Sequence, residues 1–215
     1  YALLQVSEAS SVSMFDHNTK NLGRILDFVD ANVLANSLYL GLNQSYFSQN
    51  SRFQQRVFIK GEQALVRLHG LGVQEPKQQL FYNTHIHHLV GETESHQLFK
   101  SLNKDKSTFE YNGKVTVARD AQKINSYQLN QNIILDDTAH VYSRPQLFID
   151  ADDVKCTHGS TTGDLNEEEI FYLRSRGLDE LSSRKLALKG FINDVFNQSN
   201  FEPNGDMVPC LDKVL

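Results

Sequence analysis

The sequence predicts a mostly-β chain followed by a small C-terminal α-helical region. Short apolar runs alternate with polar residues through the first three quarters of the chain. Turn-forming residues interrupt those runs. After Gly163 the apolar spacing lengthens to a helical one.

The runs can be taken in order. Thr19–Asn32 is the one stretch before Gly163 that also reads as helix, and its Leu22, Leu26 and Val29 suit a strand equally well. Ala64–Leu71, Gln79–Val90, Asn125–Leu135 and Pro145–Ile149 are short and rich in Val, Ile, Leu, Phe or Tyr, as strands are. Between Thr108–Tyr111 and Lys114–Val117 stands Asn112-Gly113, which predicts a tight hairpin turn, because both central residues of such a turn need positive φ. Gly70, Gly91 and Gly113 lie 21 and 22 residues apart. A repeat of about 20–25 residues is that of stacked β-solenoid coils. A sandwich of hairpins has strands of similar length, and the pattern fits both architectures.

After Gly163 the first helix is expected over 164–177. Asn166 can cap its free N–H groups, with Glu169 three residues on completing a box-like arrangement. Glu167 and Glu168 suit the positive end of the helix dipole, and Arg174 and Arg176 the negative end. Gly177 is a natural stop because it accepts a left-handed conformation. Leu181, Leu188, Ile192 and Val195 form an apolar stripe that predicts a second helix over about 180–197. Gly190 weakens that helix by about 1 kcal/mol relative to Ala. The tail from Asn197, with Pro203, Gly205 and Pro209, is expected to be loose. The chain thus divides into a β core over 1–162 and a helical region with its tail over 163–215.

Several function classes are disfavoured. A net charge of −5 argues against nucleic-acid binding, which needs a basic surface. No apolar run reaches the length of about 18 residues that a membrane helix needs. No signal peptide is visible, and a first residue of Tyr1 reads as a partial chain. Two cysteines in 215 residues make no disulfide framework, although Cys156 and Cys210 could pair. Reduced thiols in a cytoplasmic setting are the expectation.

The chemistry-bearing stretch is Ala151-Asp-Asp-Val-Lys-Cys-Thr-His-Gly159. In a strand, residues i and i+2 share a face, which brings Cys156 and His158 about 6.5–7 Å apart along the backbone. A thiolate beside an imidazole suits zinc, copper or an iron–sulfur cluster. Two ligands do not close a metal site, so others must come from elsewhere or from another chain. Packing is the commoner use of a lone Cys and of a His at a strand end. His85 and His87 also share a strand face, with His88 and His96 near, and compete as a zinc pair against plain exposed alternation. The Walker phosphate loop and the Gly-x-Ser-x-Gly nucleophile turn are both absent. Phe171, Arg174 and Arg176 are candidates for docking a partner, although basic residues belong at a helix C-terminus on electrostatic grounds alone.

Phe109–Lys123, Tyr127–Asn132 with Pro145–Leu147, Ala151–Gly159 and Phe171–Gly177 together resemble the SufB/SufD family of the SUF iron–sulfur cluster assembly machinery. The resemblance is clearest from His96 to Leu178, and Lys155-Cys-Thr-His-Gly159 fits its SufD branch better than its SufB branch. The resemblance implies a right-handed parallel β-helix followed by a helical region. It also implies a non-catalytic scaffold that pairs with a SufB-like sister and binds a SufC-like ATPase through its C-terminal helices. His158, with Cys156 as secondary ligand, would contribute to a transient Fe–S site at the subunit junction, with no cofactor permanently bound. Two rival classes remain on the residues themselves. One is a β-helix polysaccharide enzyme using Asp136, Asp137, Asp152 or Asp153, although paired Asp more often marks turns. The other is a structural homodimer that pairs exposed strand edges.

Overall fold

In residues 50–59 the side chains of Ser51, Phe53, Gln55, Val57 and Ile59 are buried while Arg52 and Arg56 are exposed, the signature of a strand with one face against a core. The computed structural model describes residues 2–6, 11–14, 24–46, 50–199, 211 and 215. Its first six strands are β1 (Ala2–Val6), β2 (Ser11–Met14), β3 (Arg24–Val33), β4 (Leu38–Tyr46), β5 (Asn50–Ile59) and β6 (Leu65–Val73). Six more follow: β7 (Gln79–His88), β8 (Glu94–Asn103), β9 (Thr108–Val117), β10 (Ile124–Ile134), β11 (His140–Ile149) and β12 (Val154–Gly163). Odd strands form one six-stranded parallel sheet and even strands another. Each coil therefore contributes one strand to each face of a flattened solenoid. This decides for stacked coils over the sandwich, and Thr19–Asn32 is strand from Arg24 onward.

The glycine spacing is not the coil repeat. Gly70 and Gly113 lie inside β6 and β9, whereas Gly91 lies in a turn, so the three are not equivalent positions. The repeat shows instead in a stacked turn whose left-handed residues are Asn36, Gln63, Glu92 and Lys123, which are 27, 29 and 31 residues apart. None of these is glycine. Each N–H bonds to the next coil: Asn36 to the Glu62 carbonyl, Gln63 to that of Glu92 and Glu92 to that of Gln122, all at 2.9 Å. Such bonds hold a conformation that costs about 1–2 kcal/mol in a free chain.

The predicted hairpin at Asn112-Gly113 does not form. Both residues lie in the middle of the continuous strand β9, paired with Asn83 and Thr84. Gly113 is there for space: an added Cβ would lie 2.2 Å from the hydroxyl oxygen of Tyr111, whose ring lies over the glycine. Gly70 likewise makes room for Phe99, whose ring carbon would stand 2.2 Å from a Cβ.

The interior is layered by register. Val57, Ile86 and Val115 stack in successive coils and are fully buried, each contributing about 1.5–3 kcal/mol. Phe53, Tyr82 and Tyr111 form a second column, and Phe99 reaches across from the other sheet to within 5.2 and 4.8 Å of the two tyrosine rings.

Two helices follow, α1 (Glu167–Ser175) and α2 (Glu180–Ser199). Asn166 Oδ1 accepts the N–H groups of Glu168 and Glu169, as its capping position predicts. Gly177, at φ +96°, donates to Arg174 while Leu178 donates to Leu173, closing α1 with a Schellman motif. Leu188, Ile192, Val195 and Phe196 bury α2 against Leu71, Leu98 and Leu102 on the outer face of the even-strand sheet. Leu181 departs from the predicted stripe: it is 51% exposed. The chain stays helical to Ser199; the rest of the predicted loose tail lies outside the described residues, apart from Leu215 and the buried Leu211. No helix among the described residues is long and apolar enough to cross a membrane.

Candidate functional site: the uncovered end of the coil

The two sheets end together. Among the described residues β11 pairs only with β9, and β12 only with β10, so both last strands keep one unpaired backbone edge. Such an edge is a template for another chain. Pro145 is tolerated in β11 because an edge strand does not need its missing N–H.

Register defines what this end presents. One inward column of the even sheet runs Tyr39, Val66, Ser95, Ser126, Cys156. The next runs Gly41, Leu68, Gln97, Gln128, His158. Both columns start with apolar or aromatic groups and grow polar toward the last rung. Ser95 and Ser126 are linked at 2.9 Å, and Cys156 is half-buried against the core above them. His158 occupies an inward position yet is exposed, since no further coil covers it among the described residues. Cys156 and His158 thus share one strand face at the solenoid's end. Burial pushes the Cys156 thiol up, so metal or a cationic partner is needed to draw out the thiolate. Among the described residues no three His, Cys, Asp or Glu side chains converge as a metal set. Among the described residues Cys156 and His158 are the two candidate ligands at this end, and Cys210 lies outside them.

The histidine cluster is otherwise employed. The rings of His85 and His87 stand 3.6 Å apart, His87 stacks on Phe58 at 4.6 Å, and His85 Nε2 is engaged by Thr116 Oγ1 at 2.8 Å. His88 points inward, between Thr93 Oγ1 at 2.7 Å and Ser95 Oγ at 2.8 Å. Burial, and after it the charges of Lys114 and Arg56, holds His87 below the ordinary histidine value. Of the candidate acids, Asp136 is committed to a turn, accepting from the Thr138 N–H and hydroxyl and from the Asp105 N–H.

The helices carry a second surface. Phe171 is 73% exposed and Tyr172 stands beside it, with the Arg176 guanidinium 5.2 Å from the Tyr172 ring centre. Arg174 lies 3.7 Å from Glu180. Sequence reasoning missed Leu178 and Leu186, which line an apolar groove of about 310 Å³ with Lys185, Lys189 and Leu211. The one available signal was that α2 has more leucines than a single stripe needs.

Similarity to known proteins bears on this arrangement. The family model for the SUF system FeS cluster assembly, SufBD core domain, matches residues 5–191. The iron–sulfur cluster assembly protein SufD of Escherichia coli is 33% identical over 162 residues, covering 75% of this chain and 37% of that protein. A SufBD family protein of Synechocystis is 39% identical over 113 residues, 53% of this chain and 24% of that one. SufD of Plasmodium falciparum is 31% identical over 146 residues, 67% of this chain and 10% of the relative. The chain therefore spans well under half the length of these curated relatives.

Proposed function

The chain belongs to the SufBD core family of the SUF iron–sulfur cluster assembly system, and from that premise we propose that it is the scaffold part of a SufD-like subunit that does no covalent chemistry of its own. Its cargo is a nascent Fe–S cluster. His158 supplies an imidazole ligand and Cys156 a secondary one, and a SufB-like sister scaffold brings the rest across the junction. A SufC-like ATPase docks on α1 and α2, at the surface around Phe171, Arg174 and Arg176. Its hydrolysis cycle moves the two scaffolds and opens or closes the shared site. A reducing, cytoplasmic setting keeps the Cys156 thiol available.

One observation carries this reading: Cys156 and His158 face inward on a last rung that no coil covers among the described residues, on a strand with one unpaired edge. An incomplete ligand set suits a cluster that must leave. The test replaces His158 with Ala in the full-length protein within its complex and measures iron and sulfide after anaerobic expression. Loss of both is expected. Unchanged cluster content removes His158 from the mechanism.

A further inference from the structure

Gln128 lies one rung beneath His158 in the same inward column and is 0% exposed. Neither its amide oxygen nor its amide nitrogen has a hydrogen-bond partner. Each buried orphan of this kind costs about 1–3 kcal/mol.

The rung below shows why this amide differs from its neighbour. Gln97 Oε1 accepts from the Thr84 hydroxyl at 2.6 Å and from the Tyr111 hydroxyl at 3.4 Å, both from the facing sheet. One coil further on, Thr84 is replaced in register by Gly113 and Tyr111 by Ser143. Glycine has no hydroxyl, and the Ser143 Oγ is itself unpartnered. Both hydroxyls that satisfy the Gln97 oxygen are therefore gone for Gln128, so that Gln97 keeps one orphaned atom, its amide nitrogen, and Gln128 two. The next residue of its column is His158, with Ser126 and Asn130 to either side already engaged, with Ser95 and with Phe99 and Asn132.

A metal-ligating histidine places its second ring N–H on an acceptor, which sets the tautomer and ring orientation. We propose that Gln128 is the positioning residue for His158: its Oε1 accepts the imidazole N–H when the sister scaffold closes the coil, aiming the other ring nitrogen at the metal. This rests on the reading of His158 as a cluster ligand. It assigns a role to an amide that is otherwise a pure cost to the fold.

The test uses the full-length protein in complex with its sister scaffold, with cobalt(II) as probe and its visible bands as readout. Gln128→Leu is expected to weaken cobalt binding by about 10- to 100-fold, the usual effect of removing such an outer partner. Its thermal midpoint should stay or rise, since an orphaned amide has been replaced by an apolar group of similar size. A merely structural role predicts the opposite pairing, a lower midpoint with unchanged affinity. Gln128→Glu keeps the acceptor oxygen and should restore most of the affinity. Gln128→Met is the second apolar variant should Leu disturb packing, and should weaken binding in the same way. Wild-type cobalt affinity in both apolar variants, with binding lost in His158→Ala, overturns the role of Gln128 alone. Wild-type affinity in His158→Ala overturns the reading of His158 and this inference with it.

Discussion

Lys100 Nζ lies 2.7 Å from Asp194 Oδ2, tying the outer face of β8 to the middle of α2. The ammonium is almost fully buried and also sits 4.4 Å from the centre of the Phe191 ring. This pair links the helical region to the coil in a way that hydrophobic contact alone does not, because it has one geometry.

The two partners are not equivalent. Asp194→Ala leaves a buried ammonium with only an aromatic face, whereas Lys100→Met leaves a carboxylate that water can reach. Asp194→Ala is expected to cost about 2–3 kcal/mol, and Lys100→Met less than about 1 kcal/mol. Urea midpoints of the two variants compare them directly, and equal losses would contradict the asymmetry.

Acid should unfold this protein through its histidines. Burial holds His69 and His88 down at about 4, from an ordinary value of 6.5. Both are therefore neutral in the fold while the unfolded chain takes up protons first. Their contribution is fully present above about pH 6.5 and is lost as pH falls toward 4, up to about 3 kcal/mol for each. Stability measured from pH 8 to pH 4 should decline over that window, and His69→Leu should flatten part of the slope.

Glycines should divide by what stands beside them. Gly70→Ala drives a Cβ into the Phe99 ring and should cost about 1–3 kcal/mol by overpacking. Gly190 is exposed on α2 with nothing within 4 Å of an added Cβ, so Gly190→Ala should gain up to about 1 kcal/mol. Thermal midpoints moving in opposite directions are the expected result.

Phe171→Asp should leave the fold within about 0.5 kcal/mol of wild type, since the side chain is exposed. In the full-length protein it should abolish co-purification of the ATPase proposed to dock there. Intact co-purification would move the docking surface elsewhere.

Some of this was readable along the chain because it is local. Asn166, the acidic first turn and Gly177 mark the bounds of α1 through short-range hydrogen bonds and the helix dipole. Alternation in β7, β9 and β10 reports a half-buried strand wherever the strand is placed. The shared face of Cys156 and His158 follows from a period of two. The failures were equally physical. Asn112-Gly113 reads as a turn until Tyr111 needs the space that glycine leaves. The coil repeat stayed hidden because its left-handed turn residues are Asn, Gln, Glu and Lys, held by bonds to a coil some 30 residues away.

By itself, then, the order of residues determined the change from strand to helix after Gly163, the caps of α1 and which side chains alternate together, because those depend on neighbours within a few positions. Only the stacking of coils decided that His158 stands on the last described rung above an unpartnered Gln128, that Lys100 meets Asp194, and that Leu181 faces out. Those relations join residues separated by some 30 to 90 positions, and register between distant strands is set by the packing of the whole interior rather than by any local preference.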